Sequence, residues 1–185
     1  MPTTVAVLVG SLRKESFNRK VAAALAKLAP GLQFRDVHIG DLPLFNEDLE
    51  ASPPSQWIDL RASIKAADAL LFATPEYNRS VPGVLKNAID VASRPYGQSV
   101  FDGKPGAVIS ASIGPLGGFG ANHHLRQTLA YLNVPTMPQP EAYIARASTL
   151  FDAQGNLTDE RTQELLKRFA AAFERWIEAN RKPSR

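Results

Sequence analysis

Short, mostly apolar runs recur along this chain, and each is followed by a stretch of helical period. Val5 to Val9, Ala69 to Ala73 and Ala107 to Ala111 are each five residues long. That length suits a strand buried on both faces rather than a helix. After the first run, Val21, Ala24, Leu25 and Leu28 share one helical face, closed by Pro30-Gly31. Trp57, Leu60, Ile64 and Ala67 follow a weaker alternating strand, predicted at Phe34 to Ile39. Val84 to Ala92, and a segment with Leu125, Leu129 and Leu132, continue the rhythm. A short strand is predicted near Tyr143-Ile144. A final helix is predicted from Thr158 as N-cap, with Asp159 and Glu160 in its first turn. Its apolar face holds Leu165, Phe169, Phe173, Trp176 and Ile177.

Strand and helix in strict alternation call for a parallel sheet covered on both sides, with right-handed crossovers. Five strands in 185 residues suit one α/β domain over 1–185, a flavodoxin-like three-layer sandwich of order 2-1-3-4-5. The switch point of that order lies between strands 1 and 3. The loops leaving those strands should line one crevice. Leu42 to Pro54, with three prolines and no period, reads as a long loop. Its acids Glu47, Asp48 and Glu50, with Asp41 just before it, are expected to face solvent.

Composition removes several chemistries. There is no cysteine, so thiolate nucleophiles, disulfides and cysteine-held metals are excluded. That fits the cytoplasm. No apolar run approaches a membrane span, and the N-terminus lacks a signal-peptide pattern. The net charge is +3, but the basic residues are scattered, apart from Arg181, Lys182 and Arg185. No basic stripe interleaved with aromatics marks a nucleic-acid surface. Only three histidines are present. Two of them, His123 and His124, are adjacent and point apart on a helix, so no metal site is expected.

Three loops carry the chemistry. The first, Gly10 to Asn18, opens a helix with Ser11, Arg13, Ser16 and Asn18. A helix N-terminus with free N–H groups and an arginine suits a phosphoryl group, provided that Glu15 points away. The loop is neither a G-x-x-x-x-G-K-[ST] nor a G-x-G-x-x-G loop. Ser16 as a plain helix cap is the alternative. The second, Pro75-Glu76-Tyr77-Asn78, offers an aromatic face and a backbone edge to a flat polar ring. The alternative there is a turn in which Ser80 caps the next helix. The third, Ser110 to Gly120, brings Ser112 and a run of glycines that allow close approach.

Gly10-Ser11-Leu12-Arg13-Lys14-Glu15-Ser16-Phe17-Asn18, Thr74 through Arg94, and Ser112 with Gly117-Gly118 resemble the motifs of the NADPH-dependent FMN reductase family, chromate and quinone reductase branch. The resemblance covers nearly the whole chain. It implies FMN, with Ser11, Leu12, Arg13, Ser16, Phe17 and Asn18 at its phosphate. Pro75, Glu76, Tyr77 and Asn78 would lie at its ring, with Ser112 and Gly117 completing the contact. It implies NADPH or NADH as hydride donor, and a ping-pong transfer through flavin N5 to quinone, free flavin, azo dye or chromate. No side chain is expected as catalytic acid or base, since the flavin carries the chemistry. Self-association as dimer or tetramer is also implied. Leu85, Ile89 and Val91, with Leu125 to Leu132, offer more apolar positions than one sheet face needs, which is compatible with such contacts. A flavodoxin-type electron carrier and a flavin-binding redox sensor are the alternatives.

Overall fold

The computed structural model describes residues 2–181. In chain order its elements are β1 (Thr3–Val9), α1 (Phe17–Leu28), β2 (Leu32–Asp36), α2 (Ser55–Lys65), β3 (Ala69–Thr74), α3 (Gly83–Ala92), β4 (Gly106–Ala111), α4 (Phe119–Tyr131), β5 (Ala142–Ile144) and α5 (Glu160–Asn180). All strands are parallel, in the order β2-β1-β3-β4-β5. This is the flavodoxin-like order read from the alternation of elements.

The three central strands are buried and mostly apolar because both faces are covered, with Thr4, Thr74 and Ser110 as buried polar members. On β1, Val5, Val7 and Val9 point to one face, where α1 and α5 close over them with Val21, Leu25, Phe169 and Phe173. Ala6 and Leu8 point to the other, where α2, α3 and α4 supply Trp57, Ile64, Leu85, Ile89 and Leu125. Leu85, Ile89, Val91, Leu125 and Leu129, apolar positions compatible in sequence with subunit contacts, are thus consumed inside the chain. None is more than 1% exposed.

β2 departs from the predicted Phe34 to Ile39. Its ladder on β1 runs from Leu32 to Asp36. Phe34 packs on the α1/α5 side, whereas Val37 and Ile39 are buried on the opposite side. That is plain alternation, since residues three and five apart in an extended segment face opposite sides; the main chain follows β1 as far as the bond from Val37 N–H to Val7 O at 2.9 Å and then leaves it. The loop after it is anchored rather than loose. Asn87 accepts from Phe45 N–H at 2.8 Å and donates to Pro43 O at 3.2 Å, and Glu47–Leu49 form a 3-10 turn. Glu47 and Glu50 do not simply face water: Arg94 donates to them at 2.9 and 2.6 Å. Asp41 lies 3.2 Å from His38.

Helix ends are closed by side chains. Arg61 donates to the carbonyls of Ala92, Arg94 and Gln98, beyond the last turn of α3. The cap of α5 is Asp159, not Thr158: its carboxylate accepts from Thr162 N–H at 2.7 Å. Thr158 instead bonds Leu150 O with both N–H and hydroxyl. Leu166 and Ala170 join Phe169, Phe173 and Ile177 as the buried face of α5, with Leu165 and Trp176 at its edge. Lys182 and Arg185 of the basic cluster lie outside the described residues.

Candidate functional site

A crevice of about 200 Å³ opens beyond the carboxyl ends of β1, β3 and β4. Ser11, Arg13, Ser16, Phe17 and Asn18 line it from the first loop. Pro75, Glu76 and Tyr77 line it from the second, and Ala111, Ser112 and Ile113 from the third. Three of the candidate residues do not line it. Leu12 is 59% exposed and packs toward Gly40. Asn78 sits at the tip of its turn. Gly117, late in the third loop, lies against β5, where a Cβ would meet the main chain of Tyr143 at 2.6 Å.

The first loop presents a place for an anion. Ser16 is the N-cap of α1, its hydroxyl accepting from Arg19 N–H at 3.3 Å. A hydroxyl that accepts keeps its own proton free to donate, so capping and anion binding are compatible. The N–H groups of Phe17 and Asn18 fall in the first turn and have no intrahelical acceptor. Arg13 lies 5.8 Å over the Phe17 ring, which orients its guanidinium at the mouth. Glu15 is turned to Lys20 at 2.8 Å. The Lys20 hydrogen bond and charge hold the Glu15 carboxyl below its usual range. The one negative charge in the loop is therefore already matched. These groups fit a phosphoryl end such as that of FMN.

Asn18 is used differently from the sequence expectation. Its amide exchanges two bonds with the main chain of Ala111: Nδ2 donates to the carbonyl at 3.0 Å, and Oδ1 accepts the N–H at 2.9 Å. The side chain ties the start of α1 to the end of β4. Only its backbone N–H remains for an anion.

The second loop is a tight two-residue turn. Tyr77 and Ser80 exchange both backbone bonds, at 3.1 and 3.0 Å. Asn78 and Arg79 hold φ of 51° and 65°, the left-handed pair of a type I′ turn. For a non-glycine residue that region costs on the order of 1–3 kcal/mol, and surrounding contacts must offset it. Ser80 does not cap α3, whose N-cap is Pro82. The Glu76 carboxylate points out of the ring region and caps α4, accepting from Ala121 N–H at 3.1 Å. It leaves the main chain of 75–77 and the half-exposed Tyr77 ring facing the crevice, a frame that fits a planar heterocycle.

In the third loop, Ser112 Oγ accepts from Gly114 N–H at 3.2 Å. Its own backbone bonds Ile144 O and Ala147 N–H, which fixes the crevice wall to β5. Ala111 and Ile113 were not singled out in the sequence because neither carries a polar group. Their strand-end position beside Ser112 is the signal that would have found them. Arg94 sits at the far end of α3, about 15 Å of helix from the turn. It is occupied by Glu47 and Glu50, whose bonds raise its affinity for its proton. His123 bonds Tyr143 and His124 bonds Ser80, so the adjacent rings do part. Among the described residues no group of three His, Asp or Glu is arranged to hold a metal.

Fold and crevice together define a flavodoxin-like flavoenzyme. Residues 3–149 match the model of the NADPH-dependent FMN reductase family, and the chain belongs to that family. A quinone reductase of Pseudomonas putida is 59% identical over 180 residues, 96% of each chain. A 2-hydroxy-1,4-benzoquinone reductase of a Burkholderia species is 48% identical over 98% of this chain and all of the relative. The solved structure of FerB, a flavoenzyme NAD(P)H:(acceptor) oxidoreductase from Paracoccus denitrificans, superposes with a TM-score of 0.92. It shares 48% identity and covers 97% of this chain and 100% of its own. The protein is accordingly an NAD(P)H-dependent oxidoreductase that uses FMN.

Proposed function

We propose that this enzyme reduces quinones, taking the hydride from NAD(P)H and passing it on in a separate visit of the acceptor. The observation that carries the reading is the shared crevice of the first two loops: an anion-binding helix start and a ring-framing turn line one opening. Relatives named as quinone reductases, at 59% and 48% identity, support the acceptor class. When bound by these loops, FMN would supply the two-electron redox chemistry that links the reduced pyridine nucleotide to the acceptor.

The chain's residues bind and orient. Ser11, Ser16, Arg13 and the N–H groups of Phe17 and Asn18 neutralise the phosphoryl end. The backbone of 75–77 offers donors to the ring edge, where preorganised dipoles stabilise added negative charge. Tyr77 and Ile113, 47% and 66% exposed, flank the opening and leave one apolar-edged approach for flat reactants. No side chain acts as general acid or base. Exposed Leu12, Leu116 and Phe119 support self-association. The lack of cysteine and the need for reduced pyridine nucleotide support a cytoplasmic setting; no helix among the described residues is long and apolar enough to cross a membrane.

Stopped-flow mixing of the FMN-loaded protein with NADPH tests the reading. Rapid bleaching without a protein partner, followed by return of colour on adding a benzoquinone, is expected. A flavin that bleaches only with a partner protein would make this an electron carrier and overturn the proposal.

A further inference from the structure

The ring-framing turn does not support itself. Asparagine tolerates positive φ, but arginine resists it, and a turn of this type favours Asn-Gly over the Asn-Arg found here. Two backbone bonds close it from within. The remaining support comes from α4, through two grips one helical turn apart. At Ala121 the backbone N–H donates to Glu76, whose other oxygen takes Arg79 Nη1 at 3.1 Å. At position 124, His124 Nδ1 lies 2.8 Å from Ser80 Oγ. Positions 121 and 124 share a helix face. Between the grips the surfaces meet closely: a Cβ on Gly120 would lie 2.9 Å from Glu76 Oε2 and 3.1 Å from Arg79 O. His124 does not line the crevice.

We propose that His124 is a positioning residue for the flavin reaction. Its bond to Ser80 holds the 77–80 turn against α4 in the left-handed form that frames the ring. The inference rests on the reading of this turn as the ring site. It makes α4, which touches no ligand through His124, part of the machinery that sets ring geometry. The phosphoryl end, built on α1, is independent of it.

The test uses the apoprotein first. In H124F, amide exchange at Tyr77 and Ser80 should quicken about tenfold, the value of one lost hydrogen bond, with exchange at Arg19 and Lys20, both bonded to Ser16, unchanged. H124N, whose amide can donate or accept near the Nδ1 position, should restore protection. With FMN added, H124F should shift the visible flavin band and lower the bleaching rate by NADPH about tenfold, and H124N should reverse both. Unchanged exchange in H124F, or H124N behaving as H124F, overturns the proposal. A wild-type protein that binds no FMN would overturn the ring-site reading instead, and the exchange result would still decide the clamp.

Discussion

Replacing Asn18 by alanine separates two roles that its position allows. The residue is 4% exposed, and the Ala111 main chain it serves is 2% exposed. Alanine would leave one N–H and one C=O buried without their partner. Each such loss costs about 1–3 kcal/mol. Water entering from the crevice offsets part of the sum, so a loss of about 2–4 kcal/mol is expected. In a chain of this size, 1 kcal/mol moves the melting temperature by about 2–4 °C. Urea unfolding and calorimetry of the apoprotein should therefore show a fall of roughly 4–16 °C. Asn18→Asp should be no milder. It keeps an acceptor for the N–H but sets a carboxylate oxygen against the Ala111 carbonyl. An N18A apoprotein as stable as wild type, with weakened FMN binding, would refute the reasoning and make the amide a phosphate ligand.

Arg13→Ala should weaken FMN binding about 10- to 150-fold, the value of one charge-assisted contact, while leaving apoprotein stability unchanged; titration calorimetry checks both halves. Tyr143 should be the late tyrosine of the four in a near-ultraviolet titration. Its burial, and then Glu141, push its hydroxyl up to about 12, and His123 Nε2 lies 2.8 Å from the same oxygen. The folded state thus keeps a proton that the unfolded chain releases near pH 10. This stabilisation is full below pH 10 and lost as pH rises through about 12. Tyr143→Phe should remove the late step and flatten alkaline stability in that window; an unchanged titration would sink the assignment.

The layout was legible wherever burial on both faces wrote itself as a short, mostly apolar run. Val5 to Val9, Ala69 to Ala73 and Ala107 to Ala111 fall inside β1, β3 and β4, and the loops that follow them meet. Side-chain direction was not legible. Asn18 is drawn to Ala111, 93 residues away, and Glu76 to the start of α4, because buried main-chain groups need partners that only the folded chain brings near. β2 misled because Val37 and Ile39 carry the apolar pattern past Asp36, where the ladder on β1 ends, and are buried from the loop that follows. The apolar positions Leu85, Ile89 and Leu125, compatible in sequence with subunit contacts, are taken up by the chain's own sheet.

α5 has a consequence for how the molecule is made. It is the last of the described elements to leave the ribosome, yet it delivers Leu166, Phe169, Ala170, Phe173 and Ile177 to one side of the sheet. Until it emerges, α1 alone shields the valines of β1 there. The nascent chain must carry a sticky, half-roofed sheet through most of its synthesis, a state open to aggregation and to chaperone capture.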